Sequence, residues 1–158
     1  MLTDDVLDSI QHSVLCWLAT VDTEGAPNVS PKEVFCAAGR NQLLIANIAS
    51  PNSVRNIQSN PRVCVSFVDV FVQKGYKLRG IADLVVPREP NFAEHCVPLA
   101  QMTQGKFPIH SIVAIRVTAV EPIIAPSYRL VSGTTEASQI AAALETYGVS
   151  AGPGFRAR

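Results

Sequence analysis

The chain has 158 residues, 47% hydrophobic and only 16% charged, with thirteen Lys plus Arg balancing thirteen Asp plus Glu. That length suits one domain with a core that needs no disulfide staples, and the composition is too apolar for disorder. Zero net charge excludes the electrostatic footprint of a nucleic-acid binder and the polybasic patch of a peripheral membrane protein. Soluble domains average about 25% charged residues, so the deficit points to a subunit interface, whose core is poor in charge.

The N-terminus, Met1-Leu2-Thr3-Asp4-Asp5, is acidic where a secretory signal is basic, and no apolar run approaches a membrane span. A soluble, cytoplasmic protein is expected. Val6, Leu7 and Ile10 recur at helical spacing over residues 4–13, with Thr3 as N-cap. The apolar run 14–21 predicts a buried strand, followed by a turn in which Gly25 takes positive φ. A second strand is expected over 28–37, interrupted by Pro31, and a third over 42–47. Ser50-Pro51 opens a helix that stops before Pro61. Strands follow at 62–72 and 76–86, separated by Lys74-Gly75. A helix over 90–104 stops at Gly105. A long strand covers 111–124, and a last helix runs from about Thr135 to Tyr147, closed by Gly148. Residues 1–149 are expected to form the domain, and 150–158, with Gly-Pro-Gly, a disordered tail. Short turns among the first strands favour antiparallel pairing. The fold class is mainly β with peripheral helices, a small antiparallel barrel.

Four cysteines, at 16, 36, 64 and 96, lack CxxC spacing and read as small hydrophobic residues. No metal site is expected. Phosphate-binding glycine motifs and nucleophile elbows are absent, and the three histidines are scattered.

Three segments stand out. Pro27-Asn28-Val29-Ser30-Pro31-Lys32 is polar within an apolar region, and Lys32 is either a solvated edge charge or an anion contact. Asn47 to Arg55 leads a strand into a helix N-terminus, where free N–H groups, Ser53 and Arg55 could take a phosphate; an ordinary capped helix is the alternative. Gln73-Lys74-Gly75-Tyr76-Lys77 places two cations and an aromatic together at a strand start, and taken alone it reads as a solvated hairpin tip.

In this order and spacing, Trp17 to Lys32, Leu44 to Asn47, Ser50 to Ile57 with Asn60-Pro61, and Lys74 to Ala82 resemble the pyridoxamine 5′-phosphate oxidase-like FMN-binding split-barrel family. The resemblance covers residues 5–125. It implies a six-stranded antiparallel split β-barrel that forms a homodimer with FMN in grooves between subunits. Ser30 and Lys32 then match the position holding the flavin side and phosphate. Ala46, Asn47 and Ile48 match the strand along the isoalloxazine edge, where backbone groups tune the ring. Ser53 and Asn56 match phosphate-loop positions, and Lys74 and Tyr76 approach the flavin from the partner subunit. Two features depart from the family. Its vitamin B6 oxidases carry a C-terminal arm rich in Arg and Trp, whereas Trp17 is the only tryptophan here. The turn at Ser50-Pro51-Asn52 lacks the family's second basic residue, leaving Arg55 as substitute.

The expectation is an FMN-dependent oxidoreductase acting on a small molecule, with no residue marked as its acid or base except Tyr76. The alternatives are a flavin carrier without a substrate of its own, or the same fold binding deazaflavin F420 or haem.

Overall fold

A computed structural model describes residues 1–155. The elements run α1 (Asp4–His12), β1 (Cys16–Val21), β2 (Pro27–Lys32), β3 (Phe35–Ala38), β4 (Gln42–Asn47), α2 (Pro51–Ser59), β5 (Arg62–Asp69), β6 (Lys74–Val85), α3 (Phe92–Thr103), β7 (Ser111–Ile124), α4 (Ser127–Leu130) and α5 (Glu136–Tyr147). One antiparallel sheet has the order β2-β1-β5-β6-β7-β4-β3.

The two end strands of that order are consecutive in the chain, joined through Glu33 and Val34. The sheet must therefore curl until its ends meet. Residues 27–38 behave as one kinked strand: its first half pairs with β1 and its second half with β4. This is the split of the barrel, and it reconciles the seven strands with the six expected. The break falls at Glu33-Val34 and not at Pro31, which stays paired with Trp17. At the seam, the Ala46 N–H donates to the Val34 carbonyl at 2.9 Å.

The barrel interior holds Leu18, Phe35, Leu43, Ile45, Val65, Phe67, Leu78 and Ile115, with Leu2, Val6 and Ile10 of the α1 region and Ile57 of α2 packed against them. A second cluster forms outside the sheet, where α3 sets Leu99 against Leu44, Ala46, Ile112 and Ala114. Ser111 to Ile115 are therefore buried on both faces, which is why that stretch reads as an unbroken apolar run and not an alternation.

Three boundaries differ from the sequence reading. The first strand starts at Cys16. The fifth ends at Asp69, whose carboxylate accepts from the N–H groups of Phe71 (2.8 Å) and Val72 (3.3 Å) and holds the turn. Gly75 is not a breaker but lies inside β6, paired with Val68. A Cβ there would stand 2.0 Å from the Phe67 carbonyl oxygen, so close approach explains the glycine. Gly25 takes φ +88° in its turn, as expected.

After β7 the chain adds α4, which the sequence did not announce, and α5, capped by Thr135 and Ser138 in reciprocal bonds. The pair docks on the β5–β6 turn. The Tyr128 hydroxyl donates to the Val72 carbonyl at 2.8 Å, and Phe71 meets Tyr147 and Phe155 with ring centroids 6.2 and 5.1 Å away. Of the expected tail, Phe155 makes this contact, and residues 156–158 lie outside the described residues.

Candidate functional site

Antiparallel partners present their side chains to the same face. The register sets Asn28, Ser30 and Lys32 of β2 opposite Thr20, Leu18 and Cys16 of β1, all three buried. Every second residue of β2 is thus polar and directed inward, while Pro27, Val29 and Pro31 face out. Helix α2 lies over this polar row. Ser53 and Asn56, one turn apart and both buried, point into it.

The hydrogen bonds form two groups. The Thr20 hydroxyl accepts from the amides of Asn28 and Asn56, both at 3.1 Å, and Asn28 also donates to Ser53 Oγ at 3.3 Å. The Lys32 ammonium donates to Ser30 Oγ at 2.7 Å and to the Ser50 hydroxyl. The Ser50 N–H donates to Asn47 Oδ1 at 3.2 Å, and Asn47 Nδ2 donates to Ser111 Oγ at 2.9 Å. Ser50 does not cap α2 with its side chain, as the sequence had suggested; its hydroxyl serves Lys32 instead.

Lys32 is 7% exposed, and no carboxylate forms a salt bridge with it among the described residues. A buried cation served only by hydroxyl oxygens is costly unless an anion joins it. Burial lowers its pKa from the usual lysine value, and a negative charge on neighbouring Cys16 would oppose that shift. Cys16 itself is pushed up to about 12, chiefly by burial, so it stays a thiol at neutral pH. The residues therefore fit an anionic group: a fixed ammonium, the hydroxyls of Ser30, Ser50 and Ser53, and the N-terminal end of α2 beside them.

Five of the sequence-selected residues meet here: Ser30, Lys32, Asn47, Ser53 and Asn56. Ala46 lies in the seam with its N–H already donated to Val34, and Ile48, just beyond β4, packs on the α3 cluster. Arg55 is exposed and donates to the side chain of Asn52, so its charge is held at the helix surface. Sequence reasoning missed Thr20, Asn28 and Ser111 as members of the network. The alternation Asn28-x-Ser30-x-Lys32 was the available signal, because polar residues at strand period on an inward face need partners.

Lys74 and Tyr76 stand elsewhere in the same protomer. They line a groove of about 950 Å³ with Trp17, Phe71, Glu136 and Phe155. The Lys74 ammonium pairs with Glu136 at 2.7 Å and lies 4.5 Å from the centroid of the Tyr128 ring. The hydrogen bond that Lys74 donates to Glu136 raises the Lys74 pKa. Tyr76 packs against Phe67 at 6.2 Å between ring centroids. Among the described residues there is no cluster of His, Cys, Asp and Glu that could hold a metal, and no helix long and apolar enough to cross a membrane.

A barrel split at one kinked strand, with a buried polar cluster that fits an anion beside the split, defines the class of split barrels. The sequence profile of the pyridoxamine 5′-phosphate oxidase family matches residues 2–126, and the chain belongs to that family. Among solved structures, HupZ of Group A Streptococcus shares 23% identity at a TM-score of 0.65, covering 76% of this chain and 92% of its own. An FMN-binding protein from Syntrophomonas wolfei shares 13% identity at 0.65, covering 77% and 88%. HutZ, the haem storage protein from Vibrio cholerae, shares 15% at 0.62, covering 78% and 95%. At such identities the likeness is one of fold. No curated protein matches the sequence significantly.

Proposed function

We propose that this chain is an FMN-binding oxidoreductase that holds the phosphate of FMN at Lys32. The observation that carries the reading is the buried ammonium of Lys32, set among hydroxyls at a helix N-terminus with no carboxylate partner among the described residues. Ser30, Ser50 and Ser53 supply hydroxyl hydrogen bonds to the phosphate, and Thr20, Asn28 and Asn56 fix α2 against β2 so that these groups stay in place. Asn47 joins the Lys32 group through Ser50, and in this reading the ring edge runs along the end of β4, past Ala46, Asn47 and Ile48. When bound, FMN supplies one- and two-electron chemistry, and the protein's part is to orient it and exclude water.

The protein acts as a homodimer in this reading. Trp17 is 46% exposed and Val29 58%, diagonal neighbours on the outer face of β1 and β2. Burying that face against a second copy brings Lys74 and Tyr76 of one subunit toward the flavin of the other and accounts for the low charge content. Four cysteines without a disulfide suit a cytoplasmic setting.

Titration of FMN fluorescence with the purified chain, beside light scattering for mass, tests the reading. Saturable quenching at one FMN per subunit of a dimer is expected. A chain that leaves FMN emission unchanged at tens of micromolar would overturn it. Turnover with a reductant and an electron acceptor separates an oxidoreductase from a flavin carrier, and titration with F420 under the same conditions measures the deazaflavin alternative. Haem is favoured by one observation: exposed His110 donates its backbone N–H to the Asn47 carbonyl at 3.0 Å, which puts a histidine at the pocket's edge. A Soret band that is lost in His110→Ala would establish it.

A further inference from the structure

Lys74 opens β6 directly after the β5–β6 turn, and the segment that follows the barrel holds that turn. Gln73 takes φ +56°, in the left-handed region that a residue with a Cβ rarely enters. Its carbonyl accepts the Ala125 N–H at 3.0 Å, and its side-chain oxygen accepts from Gln139 at 3.3 Å. Gln139 also donates to Ser127 Oγ at 2.8 Å, and the Tyr128 hydroxyl donates to the Val72 carbonyl. Glu136, the first residue of α5, accepts from the Lys74 ammonium, which also lies against the Tyr128 ring. Apart from Ala125, these holding residues come after residue 126, where the family match ends. The shared barrel thus supplies the lysine, and the chain's added segment supplies its counter-charge.

We infer that Glu136 is a positioning residue for the redox site: by holding Lys74 it withholds a positive charge from the partner subunit's flavin and keeps that flavin harder to reduce. This rests on the dimeric FMN reading, in which Lys74 of one subunit comes toward the flavin of the other. FMN that takes up two electrons and one proton gains one negative charge, so a free cation nearby favours the reduced form. A carboxylate 2.7 Å from that cation offsets most of its field at the range of a ligand. It also keeps the ammonium from turning toward one. The two side chains are partly exposed, 38% for Lys74 and 57% for Glu136, so the effect is modest and screened by salt. Glu136 itself touches neither cofactor nor substrate; it acts through Lys74.

Redox potentials of the FMN-loaded full chain test this with wild type, Glu136→Gln, Lys74→Met and the double variant. FMN titration and light scattering first establish loading and mass. The midpoint is then read during slow reduction by xanthine and xanthine oxidase beside a reference dye. Glu136→Gln should tighten reduced FMN relative to oxidised FMN about three- to tenfold, tenfold being a rise of about 30 mV for a two-electron couple. Lys74→Met should move the ratio the other way, because it leaves the Glu136 carboxylate unpaired. On the Lys74→Met background the Glu136→Gln shift should be about twofold or more smaller, since no cation remains to be released. Tyr128, Gln139 and Phe155 still dock the segment in Glu136→Gln, so the charge is lost without the helix, and thermal melts verify this. Equal shifts on both backgrounds would mean that Glu136 acts by its own charge alone. An unmoved potential in Glu136→Gln would mean that Lys74 does not serve the flavin. Either result overturns the inference while FMN binding stands. A chain that takes up no FMN overturns the underlying reading, and the role of Glu136 falls with it.

Discussion

Replacing Lys32 by methionine separates a binding role from a structural one, because the two predict opposite signs. Methionine keeps most of the length and removes the charge. In the free protein the change deletes two hydrogen bonds from a charged donor, to Ser30 and to Ser50. Each has a net worth of about 1.5–3 kcal/mol. Against this, the ammonium no longer has to be held out of water, a cost of several kcal/mol for an unpaired ion. Ser30 and Ser50 are only partly buried, so water can replace the lost donor. The terms nearly cancel, and Lys32→Met should hold or raise the stability of the free protein by about 1 kcal/mol, a rise of roughly 2–4 °C in Tm for a chain of this size. Its affinity for FMN should fall about 10- to 100-fold, the value of one charge-assisted hydrogen bond to phosphate. Melting curves with and without FMN display both effects. At a ligand concentration a hundred times the wild-type Kd, binding adds about 2.7 kcal/mol, or roughly 5–10 °C. A variant weakened thirtyfold gains only about 0.9 kcal/mol under the same conditions. A variant that melts far below wild type yet binds FMN normally would refute the assignment and make Lys32 a structural strut.

Three further outcomes follow from named contacts. Thr20→Val removes the acceptor shared by the Asn28 and Asn56 amides and should cost about 1–3 kcal/mol in urea unfolding, whereas Thr20→Ser should cost less. Gly75→Ala drives a methyl group into the Phe67 carbonyl and should destabilise by about 3 kcal/mol, read as a lower urea midpoint. FMN affinity should be constant near neutral pH and fall as alkali removes the Lys32 proton. Because burial lowers that pKa, the fall should begin below the ordinary lysine value of 10.5. The sign for stability is opposite: a base with a depressed folded pKa destabilises the fold while charged, so the cofactor-free protein should gain stability as pH rises through that pKa. Lys32→Met should flatten both profiles.

Much of the barrel was legible because its strands are bounded by strong punctuation. Gly25, Gly39, Pro51 with Pro61, and Gly105 each stand within a few residues of a true boundary. The 70–73 turn was not, because Val70, Phe71 and Val72 have strand propensity and the turn is made by Asp69, whose carboxylate caps it. Gly75 misled for the converse reason: its need is set by a carbonyl on the neighbouring strand, which local sequence does not reveal. In the site, Lys32 was found as an odd charge in an apolar run. Thr20 and Asn28 were passed over, since their meaning appears only when the β1–β2 register sets them side by side. The separation of Lys74 and Tyr76 from Lys32 within one protomer is likewise a matter of tertiary placement.

The kink at Glu33-Val34 also bears on how the protein opens and closes. The β1–β2 and β3–β4 pairings are local hairpins, whereas β1–β5 and β4–β7 join distant parts of the chain. The two hairpins meet at Glu33-Val34, where the Ala46–Val34 bond extends the β3–β4 pairing and the Lys32–Ser50 contact links the end of β2 to the start of α2. Amide protons there should exchange with solvent earlier than those of β6 and β7, whose long pairing forms the slow-exchanging heart of the barrel. An anion that ties Lys32 to the first turn of α2 clasps both hairpins at once. Binding such an anion should therefore slow exchange at residues 30–35 and 46–50 and leave the distant half of the barrel nearly unaltered, the ligand then being the last fastening of the fold.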